Sequence, residues 1–355
     1  MNLSKTALLL GGLLAAATLA PAAALGQVKP NATAADVGLY TGPDRMQKLI
    51  EGAKKEQTLS VYTSAPVDDY AAFSAAFEKK YPGVRIQVWR AGSEKVLQRG
   101  VTEARAGRYD VDIFDTNGPE LESLHREKIL QAVRSPHTAD LIPQAVQPHG
   151  EWVGTRLNIF AFAYNTNRVK KDEVPKRYED LLDPRWKGRL GIEAGDFDWF
   201  SGVAGTLGED RAVKLFHDIV AKNGISVRKG HTLLTNLVAA GEVPLSLTVY
   251  NYKAEQLKRK GAPIDWFVIP PAIARPNGIG MTARAPHPHA AMLFYDWMLS
   301  DGQALLLKRQ FVPVSTKVKT NLSGFAVKFI ESKVILDETD KWEKLFENII
   351  GTRSK

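Results

Sequence analysis

The chain has 355 residues, no cysteine, and 47 Lys and Arg against 39 Asp and Glu, a formal net charge of +8. The lack of cysteine excludes disulfides, thiolate metal sites, a cysteine nucleophile and a cysteine-linked lipid anchor. The basic residues are dispersed among acidic ones, as across 253–260, and no basic tract or aromatic-basic motif is present. A solvated basic surface is expected, with no nucleic-acid partner.

In chain order, Lys5 comes first, then an apolar run of Ala, Leu and Gly over 7–20, then Pro21 and small residues. This is the order of a secretory signal: basic start, apolar middle, small-residue cleavage site. The run is about 14 residues, short of the roughly 20 that a spanning helix needs. A cleaved signal over 1–26 is expected, cut after Gly26 with Ala24 at the −3 position; a cut after Ala24 fits nearly as well. No later segment is long and apolar enough to span a bilayer, so a soluble, periplasmic mature chain is expected. Its roughly 330 residues exceed one comfortable core, and two lobes are expected.

Residues 45–55 have helical periodicity through Met46, Leu49, Ile50 and Ala53. A strand over 59–62 ends in Thr63-Ser64-Ala65-Pro66. Tyr70, Phe73, Phe77 and Tyr81 mark one face of a helix that Pro82-Gly83 stops. Val84, Ile86 and Val88 alternate as a strand. Gly92-Ser93-Glu94 opens a helix, 111–114 is a third strand, and Thr116-Asn117-Gly118-Pro119 opens another helix. This βαβαβα order implies a parallel sheet covered by helices on both faces. The second half repeats the alternation. Strands are expected over 157–164, 190–193, 226–228, 243–250 and 264–269, with helices over 210–222, 232–240 and 251–260. Further helices are expected over 288–299 and 342–350. The fold class is therefore α/β, with two lobes and a ligand cleft between them at the C-terminal ends of strands.

Five stretches carry a family resemblance: Ser60-Val-Tyr-Thr-Ser64, Phe77-Glu-Lys-Lys-Tyr-Pro-Gly-Val84, Ala163-Tyr-Asn-Thr166, Tyr178-Glu-Asp-Leu-Leu-Asp-Pro-Arg-Trp-Lys-Gly188 and Ala285-Pro-His-Pro-His-Ala-Ala-Met-Leu-Phe294. Over roughly 59–310 the chain resembles the ferric-iron-type family of periplasmic ABC substrate-binding proteins. The resemblance implies a two-lobed receptor of the periplasmic-binding-protein fold that closes about a hinge of crossover strands. The expected division is a signal at 1–26, lobe 1 at 27–157, lobe 2 at 158–265 and a return to lobe 1 at 266–315. A C-terminal helical segment at 316–355 should pack on lobe 2. The partners it implies are a membrane permease and ATPase, and a monomer is expected. Its ligands include ferric ion with a synergistic anion, while related branches take phosphorylated, phosphonate, carboxylate or thiamine-like solutes. Iron-binding members carry two adjacent tyrosines late in the second lobe. Here Tyr250 and Tyr252 are separated by Asn251.

Three βα turns, at Ser64, at Gly92-Ser93 and at Thr116-Asn117, present backbone N–H groups at helix N-termini, which attract anions. Simple helix capping by the same residues is the alternative. Arg90 and Arg156 offer planar forks suited to carboxylate or phosphate, or else surface salt bridges. In the resembled family an arginine near the start of the crossover strand meets the anion, and Arg156 matches that place. Asp198 and Trp199, in Asp196-Phe-Asp-Trp-Phe200, either line the cleft or begin a packed aromatic helix. Tyr250 and Tyr252 could hold ferric ion as a transported ligand; no resident cofactor is expected. His287 and His289 are expected to be structural, and His231 could approach the cleft. No Gly-x-Ser-x-Gly, His-Glu-x-x-His or Gly-x-x-x-x-Gly-Lys motif is present, which disfavours a secreted hydrolase unless its site is scattered. A receptor for a small anionic solute is therefore expected, with a ferric-ion receptor as the alternative. A partner reporting to a membrane sensor kinase is a third class that the sequence does not separate from import.

Overall fold

Residues 32–320 and 326–351 are described by the structure, a computed structural model; the expected signal over 1–26 lies outside them. The first part of the chain runs α1 (Ala34–Gly38), α2 (Arg45–Glu56), β1 (Thr58–Thr63), α3 (Val67–Lys80), β2 (Arg85–Arg90), α4 (Ser93–Arg105), β3 (Ile113–Asn117), α5 (Gly118–Arg126) and β4 (Leu130–Gln131). The long strand β5 (Trp152–Asn165) leads into β6 (Leu190–Glu193), α6 (Phe197–Leu207), α7 (Glu209–Asn223), β7 (Ser226–Arg228), α8 (His231–Ala240), β8 (Leu245–Tyr250), α9 (Asn251–Arg259) and β9 (Ile264–Phe267). A second long strand, β10 (Ala272–Thr282), returns. After it come α10 (Pro288–Leu299), α11 (Asp301–Lys308), β11 (Val312–Pro313), β12 (Val327–Phe329), α12 (Ser332–Asp337) and α13 (Thr339–Ile350). The expected stops act as read: α8 ends at Gly241, whose φ of 80° suits a residue without Cβ.

The principal strands order as β2-β1-β3-β10-β5-β8-β6-β7. β1 is parallel to β2 and β3, and β6 is parallel to β7 and β8. Two parallel half-sheets are thus joined through β5 and β10, which are antiparallel to each other and buried along their whole length. One apolar core lies under the first half-sheet, around Tyr62, Val96, Phe114, Leu124 and Trp152. Another lies under the second, around Leu234, Val238, Val249 and Ile264. Packing of alternating strand faces onto helices is what drives both.

Two features differ from the periodicity reading. β2 has the expected alternation, but it is an edge strand with both faces largely in solvent, and Val88 is 42% exposed. β10 was not expected as a strand. Its sequence carries Pro276, Gly278 and Gly280, residues that ordinarily break central strands. They are accommodated by a register shift between Asn277 and Gly278, where a Cβ would overlap the Val153 carbonyl oxygen. The C-terminal segment also divides. α13 packs on α6 and α7, whereas α12 packs on α5, with Arg126 Nη1 2.7 Å from Asp337 Oδ1. Among the described residues no helix is long and apolar enough to cross a membrane.

Candidate functional site

The C-terminal ends of β1, β2 and β3 deliver the chain to the N-termini of α3, α4 and α5. The three turns are tied together. Ser64 N donates to Asp115 O at 3.0 Å, and Ala91 N donates to Thr63 O at 3.1 Å. Thr116 Oγ1 donates to Ser64 Oγ at 3.2 Å, and Asn117 Nδ2 donates to Ser93 Oγ at 2.7 Å. No N-cap side chain bonds the first turn of α3, α4 or α5, so these hydroxyls and amides are not committed to capping. Asn117 Oδ1 accepts from Asn158 of β5 and from Asn277 of β10, both at 3.1 Å. Arg90 stands exposed beside this wall and donates to the Ser64 and Ala65 carbonyls at 3.4 and 3.3 Å.

A second wall forms where β6 and β8 end and α6 and α8 begin. Glu193 accepts from the backbone N–H groups of Gly195 and Gly230 at 2.6 and 2.7 Å. His231 Nε2 lies 3.2 Å from Asp196 Oδ1. Asp198 accepts from Arg275 of β10, which also donates to the Tyr250 hydroxyl. The Tyr250 ring lies against His231, with centroids 3.8 Å apart, and stacks at 5.9 Å on Tyr252, which in turn meets Phe311 at 4.1 Å.

Burial dominates the electrostatics here. It raises the Glu193 carboxyl, helped by neighbouring Asp196. It raises Asp198 despite the opposing pull of Arg275. It raises the Tyr250 phenol well above its usual range, against Arg275 and with Asp196 and Asp198. For His231 burial acts downward, but Asp196 and Glu193 outweigh it and the imidazole is raised, favouring the cation. Glu120, in the first turn of α5, is pushed up to about 7 by burial, with Arg275 opposing and Asp198 adding to the rise.

The expected residues are sorted by this geometry. Ser64, Gly92, Ser93, Thr116 and Asn117 come together on the first wall, and Asp198 and Tyr250 on the second. Trp199 does not join them. It is 2% exposed and packs into the aromatic core against Tyr178 and Phe216. Arg156 is also withdrawn: it is 1% exposed, 2.9 Å from Asp115 and over the Phe311 ring. His287 and His289 face different carboxylates, Asp112 and Glu56, and do not form a metal pair. Sequence reasoning missed Arg275, Glu193, Glu120, Asn158 and Asn277. Glu193 ends a short apolar strand, so the preference of ligands for C-terminal strand ends could have found it.

The first wall offers N–H and O–H donors to an anion. The second offers hard oxygens and one imidazole. Ligand atoms of Glu193, Asp196 and His231 lie within 4.8 Å of one another, as do those of Glu122, His125 and His149 at the far end of α5.

The model of the family described as bacterial extracellular solute-binding protein matches residues 64–305. The Fe(3+)-binding periplasmic protein of Serratia marcescens is 23% identical over 266 residues, covering 72% of this chain and 78% of the relative. The periplasmic binding protein AfuA from Actinobacillus pleuropneumoniae, solved with fructose-6-phosphate bound, superposes with a TM-score of 0.73 at 21% identity. The match covers 83% of this chain and 99% of that one. Iron-bound HitA from Pseudomonas aeruginosa gives 0.69 at 20% identity over 82% and 99%. The likeness places the α/β sheet with its two crossover strands in the two-lobed periplasmic-binding-protein fold.

Proposed function

The chain belongs to the family of bacterial extracellular solute-binding proteins, and from that premise we propose that it is the periplasmic receptor of an ABC importer for a small anionic solute. The solute is a carboxylate, phosphonate or phosphate ester. The observation that carries this reading is the first wall. Three helix N-termini meet there, laced by the Ser64–Thr116 and Ser93–Asn117 hydrogen bonds. Helix N-termini stabilise negative charge through N–H groups that the helix itself cannot use. The solute bridges the two walls, β5 and β10 act as the hinge, and the closed form docks on the permease. In this reading the chain binds and releases its solute without chemistry.

Binding to the folded state raises its apparent stability. Thermal-shift and calorimetric titration with inorganic phosphate, phosphate esters, phosphonates and carboxylates should show selective stabilisation by one of these classes. Absence of any response across them would overturn the anion reading.

A second reading is ferric ion held with a synergistic anion. It is favoured by the stacked Tyr250 and Tyr252 rings beside Glu193, Asp196 and His231, and by the iron named for two of the similar proteins. It requires deprotonated phenols, which burial opposes at both tyrosines. A visible charge-transfer band on adding ferric ion, lost in Tyr250→Phe, would establish it.

A further inference from the structure

The walls differ in how their charge is balanced. Around the second wall stand four carboxylates, Glu120, Glu193, Asp196 and Asp198, and two cationic side chains, Arg275 and His231. Arg275 is committed to Asp198 and His231 to Asp196. Among the described residues Glu193 accepts from the backbone N–H groups of Gly195 and Gly230, and Glu120 Oε2 is buried with no hydrogen-bond partner. Asp196 is 1% exposed, yet its Oδ2 has no donor among the described residues. Two further buried oxygens beside the turns, Oδ1 of Asn251 and of Asn277, are likewise without a donor. Buried acceptors left without donors are costly, and unpaired buried carboxylates more so. Two buried donors of the same wall, Arg275 Nε and His231 Nδ1, are without an acceptor; an anion would answer only these, would leave the carboxylate and amide oxygens unmet, and would add to the negative charge. What the carboxylates of this wall still require is positive charge and N–H donors.

We infer that the solute is zwitterionic: its anionic group sits on the first wall, and a primary ammonium group sits against Asp196 and Glu193 on the second. This rests on the proposed anion-receptor reading and names the part of the solute that reading leaves open. The two walls then hold opposite ends of one small molecule, so closure brings each charge to its partner at once. An ammonium has three donors and no acceptor, which matches Asp196 Oδ2 and the free lone pairs of Glu193.

Three probes of nearly equal size separate the possibilities: O-phosphoethanolamine, 2-hydroxyethyl phosphate and ethyl phosphate, titrated calorimetrically into the mature chain at pH 7.5. The ammonium compound should bind at least about ten-fold more tightly than either of the others, the scale of one charge-assisted contact in a desolvated site. That ratio is read on the unmodified chain and needs no variant. In Asp196→Asn, checked for folding by its thermal midpoint, the ratio should collapse toward one; Glu193→Gln gives a second reading of the same ratio. Equal affinity for all three, or tightest binding of the hydroxyl compound, overturns the zwitterion and leaves the anion reading standing. Binding of none of them overturns the zwitterion. If ferric ion at the same time gives its visible band, the anion reading falls too.

Discussion

The first wall sets α3, α4 and α5 behind Ser64, Ser93 and Asn117, whereas the second sets α6 and α8 behind Asp196 and His231. Both use the same device, a strand end followed by a helix N-terminus. They differ in what answers the positive end of each helix dipole. On the second wall the chain supplies its own anions: Asp198 accepts from Trp199 N, and Glu193 accepts from Gly230 N just before α8. In the first turns of α3 and α4, Asp69 and Glu94 turn away to cations, to Arg309 and Lys229, and Asp68 is exposed to solvent. This leaves the first wall open to the outside anion proposed above, while Glu120, from the first turn of α5, faces Arg275 and Asp198 of the second wall. One local geometry can serve recognition or self-neutralisation, according to where carboxylates fall in the turn.

The largest effects should come from the arginines that the crossover strands lend to each wall. Arg156→Ala and Arg275→Ala each leave a buried carboxylate, Asp115 or Asp198, without its partner. Removing one member of such a pair costs about 3–5 kcal/mol, readable by urea unfolding. Loss of solute affinity in Arg156→Ala would then follow from instability and not from a lost contact. A variant that binds poorly at full stability would restore Arg156 to the ligand set and break the comparison. Next in size, Ser64→Ala combined with Ser93→Ala should weaken binding of the anionic probe about ten-fold, roughly one charge-assisted hydrogen bond, with little change in thermal midpoint. A third test turns on Glu120. The folded-state pKa of Glu120, about 7, lies above its ordinary 4.5. The folded chain therefore binds more protons than the unfolded chain between these values, and stability falls as pH rises through the window. Glu120→Gln should raise the thermal midpoint at pH 8 and leave it nearly unchanged at pH 4, below the ordinary value. The smallest effect belongs to the rim, where Lys229 and Glu94 are 3.8 Å apart and both well exposed. Glu94→Ala should shift stability by less than about 0.5 kcal/mol.

The first wall was legible in the sequence because its parts are local. A turn residue, a strand end and a helix start lie within a few positions, and each carries its own signal. The second wall was legible only in pieces, and its organising residue was not. Arg275 sits among Ala274, Pro276 and Gly278, a pattern that reads as loop. It is central only because a register shift lets the strand carry a proline. Arg156 is a different case. Its position at the crossover was read correctly, but nothing local to it announces Asp115, 41 residues earlier, as a buried partner. Likewise the aromatic run at 197–200 was open to a cleft role or a core role. What decides for the core is the packing of Phe216 and Tyr178 against Trp199, and of Trp342 against Phe200. Composition and periodicity find the elements; long-range pairing decides which polar side chain meets the solute.

The last two helices set a mechanical bound on the receptor. Asp337 pairs with Arg126 on α5, against which α12 packs, and Trp342 packs on Phe200 of α6, so a short stretch of chain links α5 to α6. Five Cα–Cα steps reach at most about 17 Å when fully drawn out. If α5 and α6 swing apart as the cleft opens, Asp337 and Trp342 cannot separate beyond that span, so further parting must be taken up by the side chains at either end or by release of one contact. In the proposed hinge motion this link would limit the stroke.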